Sequence, residues 1–332
     1  MRRVDRTGCG GWSRSKHPTT PGAAPTVGAP GATVSAPALG DLPTIGGCPV
    51  LPATSAFNQD VSSLPVDPRS TAYLTSIGIS AHVHPDFGAA DLGQGPGGFG
   101  IPYLVVAASQ PLVPLTIGPD GFPDESNPGS YPIPLDAPVE GGNDPDGDRH
   151  VLVVRQGECR LYELYRAFAG TAGWTADGGA IWNLADGSSP GRKPGWTSAD
   201  AAGLPILPGL ARYDEVAAGA IHHALRMTVS KTQQAYVAPA NHWTGDSRDP
   251  NLPPMGLRLR MRADYDTSKL TGQSAVIATA LKHYGLIVAD NGSPWYISGA
   301  PSTSWSDDDL NQLKTIPGSA FEVVQTGSVV TP

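Results

Sequence analysis

Residues 147–168 read GDRHVLVVRQGECRLYELYRAF. One apolar run, His150 to Val154, follows the turn at Asp146–Gly147, and a second, Arg160 to Phe168, follows Gly157. β-Branched and aromatic runs separated by a glycine-containing turn predict two neighbouring strands of a hairpin. Working outward, Tyr103 to Ala107, Leu112 to Ile117 and Gly179 to Leu184 are further strands. Ala220 to Val229 is another, although Val216, Ala220 and Ala224 also fit a helical period. In Leu257 to Asp264, Leu257, Leu259, Met261 and Ala263 alternate with Arg258, Arg260, Arg262 and Asp264, the pattern of a strand with one buried face. Helical spacing places Val276, Ile277, Ala280, Leu281 and Tyr284 on one stripe of Gln273 to Tyr284, before Gly285. Ser306 caps a second helix, with Asp307, Asp308 and Asp309 in its first turn. Thr197-Ser198-Ala199-Asp200 has the form of a capping box. Many short strands with two late helices predict a mainly β domain, a β-sandwich or jelly roll with peripheral helices.

Composition supports a chain rich in strands and turns. The 332 residues include 41 Gly and 34 Pro, close to a quarter of the total, and only 16% are charged. That is too little charge for a long-helix protein. A net charge of −8 without a Lys/Arg cluster argues against a nucleic-acid partner. No run of 18 apolar residues occurs, so no membrane span is expected. Residues 17–46 are dominated by Pro, Ala, Gly and Thr, and 1–46 is expected to be a disordered N-terminal segment and linker. One β-rich domain is expected over 47–332, as a monomer. Of the three cysteines, Cys9 lies in the low-complexity start, leaving Cys48 and Cys159 as the natural disulfide pair, with buried free thiols the alternative. Arg2, Arg3 and Arg6 precede no apolar segment, so no standard secretory signal is readable. Cysteine placement, composition and linker nevertheless favour export.

Several segments look familiar: HPDFG at 84–88, YPIP at 131–134, GDRHVLVV at 147–154, LYELY at 161–165, WTSADAAGLPILPGL at 196–210, RYDEV at 212–216, HALR at 223–226 and ADNGSPWYISGAP at 289–301. They resemble a family of secreted bacterial proteins without an assigned activity, over about Cys48 to Val324. The resemblance implies export and a shared fold, and it carries over no catalytic residue.

His150 and Glu163 alternate with apolar residues on the two hairpin strands, where a polar side chain is costly unless paired or used. They are candidates for general base and acid, or for a buried structural pair. Glu140, in VEGG, and Asp148, before Arg149-His150, are carboxylates able to complete a glycosidase pair. His82 and His84, spaced H-x-H, with Asp86, His150, His223 and His242 form a candidate metal site, centred on His84 and Asp86. Asp144, Asp146 and Asp148 lack the Gly and Glu of a calcium loop and suit an acidic turn better. Trp174, Trp182, Trp196, Trp243, Trp295 and Trp305 occur among Gly, Asn, Asp and Ser, as in sugar-stacking grooves, or as in ordinary packed edges. No nucleophile elbow, phosphate loop, dinucleotide fingerprint or H-E-x-x-H occurs.

The expectation is a secreted polysaccharide-active enzyme, hydrolase or lyase, with no required cofactor. Glu163, His150, Glu140 and Asp148 are its catalytic candidates, and Trp182, Arg226, His223, His242 and Trp243 would bind the polysaccharide or oligosaccharide. The rivals are a non-catalytic carbohydrate-binding or surface-structural protein and a histidine-ligated metalloenzyme.

Overall fold

The two runs at 147–168 pair as antiparallel strands, Val151–Arg155 against Arg160–Tyr165, with Leu152 opposite Glu163 and Val154 opposite Leu161. They belong to a computed structural model that describes residues 42–91 and 99–331. In chain order the elements are β1 (Thr44–Ile45), β2 (Cys48–Pro49), α1 (Ser70–Ile77), β3 (His84–Asp86), β4 (Tyr103–Val106), β5 (Leu115–Ile117), β6 (Val151–Arg155), β7 (Arg160–Tyr165), β8 (Phe168–Ala169), β9 (Trp174–Ala176) and β10 (Gly178–Asn183). They continue with α2 (Tyr213–Ala218), β11 (Leu225–Val229), β12 (Arg258–Met261), α3 (Gly272–His283), β13 (Leu286–Asn291), β14 (Tyr296–Ser298), α4 (Asp307–Leu310) and β15 (Phe321–Val323).

The protein is mainly sheet with short helices, as expected. Four strands order as β10-β7-β6-β4 and six as β15-β12-β13-β11-β14-β3; β5-β9-β8 and β1-β2 form smaller sheets. Both large sheets are mixed: β4 runs parallel to β6, β11 to β13 and β14 to β3. A jelly roll is built from antiparallel pairs, so the pairing here differs from that expectation.

Leu152, Val154 and Leu161 share one core with Leu225, Met227, Leu259 and Ile287 of the six-stranded sheet. On the other face Val151, Val153, Tyr162 and Leu164 pack with Trp174, Ala176, Tyr131 and Ile133. Burial on both faces explains why β6 reads as an unbroken apolar run rather than an alternating one.

The alternation at 257–264 has a different cause from the one expected. Leu259 and Met261 face the core, but Arg258 and Arg260 are buried too. Arg258 donates to the carbonyls of Ala56 and Tyr284, and Arg260 donates to those of Val61 and Leu64 and to Glu322 on β15. The segment at 56–64 covers the face that alternation assigned to solvent, and the guanidinium groups satisfy its carbonyls.

Helix α3 lies where its stripe predicted it, with Ile277, Ala278, Ala280 and Leu281 buried. Its first amides are capped from α4: Asp309 accepts hydrogen bonds from the N–H groups of Gln273 and Ser274. Ser306 caps α4 as expected, accepting from Asp309 N–H. The capping box at 197–200 starts no helix; Ser198 Oγ accepts from Asp200 N–H and closes a turn instead. Helices α1 and α2 were not expected. Each is short, and a left-handed glycine, Gly78 or Gly219, ends it. Tyr73, Leu74 and Ile77 bury the inner face of α1.

The chain is engaged from β1, since Ile45 is buried and pairs with Cys48, slightly ahead of the expected boundary at 47. The linker expectation for 1–46 otherwise lies outside the described residues, as does Cys9. Cys48 and Cys159 form a disulfide with Cα atoms 5.3 Å apart. Its ring spans 111 residues, for which the chain-entropy model assigns about 4–5 kcal/mol of stabilisation. In a Cys9→Ser variant, denatured unreduced protein should show no free thiol and reduced protein two by thiol titration. Reduction should lower the unfolding free energy by an amount of that order, measured by denaturant titration.

Candidate functional site

Where the two large sheets meet, five carboxylates and two buried cations come together. Arg226 projects from β11, and its side chain is 6% exposed. Its Nε and Nη2 donate to Asp200 Oδ2 at 3.2 and 2.9 Å, and its Nη1 donates to Ser298 Oγ at 2.8 Å. Asp290, near the end of β13, lies 3.7 Å from Arg226 Nη2. Ser298 is the register partner of Asp86 across β14 and β3. Asp200 also accepts the N–H of Ala202, so the turn at 197–203 is pinned against the six-stranded sheet.

The four-stranded sheet contributes from the other side. His150, just before β6, donates from Nδ1 to Glu140 Oε2 at 2.6 Å. Its Nε2 lies 3.0 Å from the carbonyl of Ala199, next to Asp200. Both ring nitrogens thus face acceptors, which requires the imidazolium form. The Tyr165 ring on β7 stands 5.8 Å from that of His150. Asp148 lies at the exposed rim, two residues before His150.

The charges shift one another. Burial works against the His150 cation, but Glu140 and then Asp148 outweigh it and raise the pKa to about 9. Burial likewise opposes the Glu140 anion, yet His150 and Arg226 hold its pKa below the ordinary value. Burial disfavours the Arg226 cation as well, but Asp200, Asp290 and Glu140 keep its pKa above normal. Asp290 goes the other way: desolvation, with help from Asp200 and Asp148, lifts it to about 7 against the pull of Arg226. Asp86 keeps solvent contact, but surrounding protein, Glu140 and Asp148 raise it to about 6, with Arg226 opposing. Glu140 and Asp290 are 25% and 17% exposed, so water reaches both. The cluster holds one carboxylate kept ionised and two poised to carry a proton near neutrality.

Of the residues singled out from sequence, the structure joins Glu140, Asp148, His150, Arg226 and Asp86. Glu163 stands apart. It is fully buried and accepts from Trp182 Nε1 at 3.0 Å and from the N–H groups of Ile206 and Leu207 at 2.9 and 3.0 Å. Desolvation raises it to about 7 while those donors oppose the rise. His150 pairs with Glu140 and not, as the sequence suggested, with Glu163. Trp182 serves Glu163 and is itself buried.

The histidines do not converge. His223, fully buried, bridges Glu215 and the carbonyl of Ala224. His242 bonds the carbonyl of Ala201 through Nδ1 and stacks with Trp243, which stacks in turn with Tyr236. His84 stacks on Tyr296 at 4.1 Å. Among the described residues, no group of three His, Cys, Asp or Glu is arranged to hold a metal. Trp174, Trp295 and Trp305 are core residues, which leaves Trp196 and Trp243 partly exposed among the six.

Asp200, Asp290, Ser298 and Tyr165 were missed as site residues. The run Leu286-Ile-Val-Ala-Asp290 carried a signal, because a carboxylate ending an otherwise apolar strand lies where strand ends expose functional groups. Asp200 was hidden behind its resemblance to a helix cap. No protein-family model, curated protein or solved structure matches the chain.

Two outcomes test this geometry. The folded pKa of His150 lies above its ordinary 6.5, so its stabilisation is complete below about 6.5 and is lost as pH rises through about 9. That of Glu140 lies below 4.5, so its share is lost as pH falls through the acid range. His150→Gln should therefore destabilise most near pH 5–6.5, by about 1.5–3 kcal/mol, with the gap to the parent narrowing by pH 9.5 in guanidinium titrations. Glu163→Gln turns an N–H donor toward groups that are themselves donors. It should lower stability by about 1–3 kcal/mol while kcat stays close to the parent value, as read from melts and turnover on one preparation.

Proposed function

We propose that this protein is an exported enzyme that hydrolyses a glycan, with Asp290 as proton donor and Glu140 as the ionised carboxylate. What supports this reading is the placement of two solvent-reached carboxyls in one cluster, Glu140 2.6 Å from the His150 ring and Asp290 desolvated 3.7 Å from an Arg226 already bound to Asp200, which shifts them in opposite directions. Glycoside hydrolysis needs one carboxylic acid and one carboxylate flanking the scissile bond. Asp290, raised to about 7, would give its proton to the glycosidic oxygen as the bond to the anomeric carbon breaks. Glu140, held ionised by His150, would take a proton from the attacking water or attack the carbon itself. Water supplies the hydroxyl of the new reducing end and restores the proton to the acid.

Hydrolysis is favoured over β-elimination because a lyase must neutralise a uronate carboxylate. Arg226 is committed to Asp200 and Ser298. His150 becomes a fixed cation supporting Glu140 rather than the base. The Cys48–Cys159 bond fits an oxidising compartment, and no helix among the described residues is long and apolar enough to cross a membrane.

A non-catalytic carbohydrate-binding role is the second reading. It is supported by the complete pairing of His150 and Arg226, which also suits a purely structural clamp between sheets.

Screening for reducing sugar across plant, algal and bacterial polysaccharides should reveal a substrate. Asp290→Asn should then cut kcat about 10²–10⁴-fold with the melting temperature nearly held. Parent activity should fall as pH rises past about 7, where Asp290 loses its proton. Full turnover in Asp290→Asn would remove the acid assignment, and saturable glycan binding without release of reducing ends would establish the second reading.

A further inference from the structure

On the chain that leaves the cluster at Ser298 lies a depression of about 290 Å³ lined by Pro102, Tyr103, Tyr213, Asp214, Pro301 and Ser302. Its position follows from the strand that builds the cluster. Ser298 bonds Arg226, and Pro301 is three residues further on, at most about 11 Å of chain away. Ser302 N–H donates to the carbonyl of Gly88, two residues past Asp86, so this wall is tied to the cluster at a second point.

The tyrosine rings are half-buried walls. Tyr213 is held edge-on by Trp305, with centroids 5.3 Å apart and planes at 88°. Rigid aromatic faces flanked by proline rings and one carboxylate suit a sugar, which offers C–H groups to the ring and hydroxyls to Asp214 and Ser302.

Among the residues of the cluster and the lining of the depression, the accessible charge is negative. Asp214 is exposed and Arg212, the cation beside it, is 1% exposed and bound to Asp214, Glu215 and the carbonyl of Thr44. In the cluster, the cations Arg226 and His150 are buried and paired, while Asp86 and Asp148 remain exposed. A glycan lying from the cluster to the depression meets accessible carboxylates and no accessible cation from these residues. An anionic chain would bring uncompensated like charge to them.

We infer that the depression is a glycan-binding subsite continuous with the cluster, and that its ligand is a glycan free of carboxylate and sulfate groups. This rests on the hydrolase reading above and specifies its substrate class. Tyr103 and Tyr213 stack a sugar unit beyond the scissile bond, and Asp214 accepts from its hydroxyls.

Matched pairs that share a backbone and differ in charge test the substrate class: hydroxyethyl against carboxymethyl cellulose, and methyl-esterified against free polygalacturonate. Whichever backbone is cut, the uncharged form should be cut at least about tenfold faster at low salt, with the gap narrowing as salt screens the repulsion. Tyr213→Ala should lower kcat/KM on a hexasaccharide about tenfold more than on a disaccharide of the same linkage, the loss expected from one aromatic stack. Should that variant melt early, Asp214→Lys, at an exposed position, should shift preference several-fold toward the carboxylated member. Faster cleavage of the anionic forms, or equal loss on short and long substrates with no shift in Asp214→Lys, would overturn the inference and leave hydrolysis itself standing. No cleavage of any glycan would instead remove the hydrolase reading and this inference with it.

Discussion

The buried pair of Arg226 and Asp200 is the interaction on which the site depends. Arg226 lies inside the six-stranded sheet, and the single Asp200 oxygen that receives two of its N–H groups belongs to a turn outside any strand. A third N–H reaches Ser298, so one side chain connects β11, β14 and the turn at 197–203. Burying two charges together brings little net stability, whereas removing one member leaves the other exposed to a low-dielectric interior. The value of such a pair is geometric. With the turn pinned, the Ala199 carbonyl faces His150, and Glu140 is drawn in from the opposite side.

From that arrangement the electrostatics follow. Desolvation by the surrounding protein makes Asp290 and Asp86 hold their protons more tightly, and the neighbouring carboxylates Asp200, Asp148 and Glu140 add to the rise against the pull of Arg226. Glu140 escapes because an imidazolium lies 2.6 Å away. The same pairing recurs between His223 and Glu215, where Arg212 also binds the carboxylate. A buried His–Glu pair is therefore an ordinary structural device in this fold. The pair at His150 differs in being set among further carboxylates that water can reach.

Glu163 teaches a related lesson. Alternation along β7 correctly placed it on the core face with His150, and a lone carboxylate there invited a catalytic role. The structure instead surrounds it with three N–H donors, two from the backbone at 206–207 and one from Trp182. A carboxylate receiving that many donors holds a loop in place.

What the sequence determined by itself is local. The hairpin at 147–168, helix α3, the Ser306 cap and the mainly β class were legible because side-chain periodicity and turn residues act over a few positions. The disulfide was legible by elimination, since Cys9 lay in the low-complexity start. The mixed sheet order, the cover over Arg258 and Arg260, and the membership of the carboxylate cluster were decided only by tertiary structure. Asp86 meets Ser298 across more than two hundred residues, and Asp200 meets Arg226 from a turn that reads as a helix cap. Whether a carboxylate is ionised depends on which charges and how much protein surround it in space, and a linear chain does not write that down.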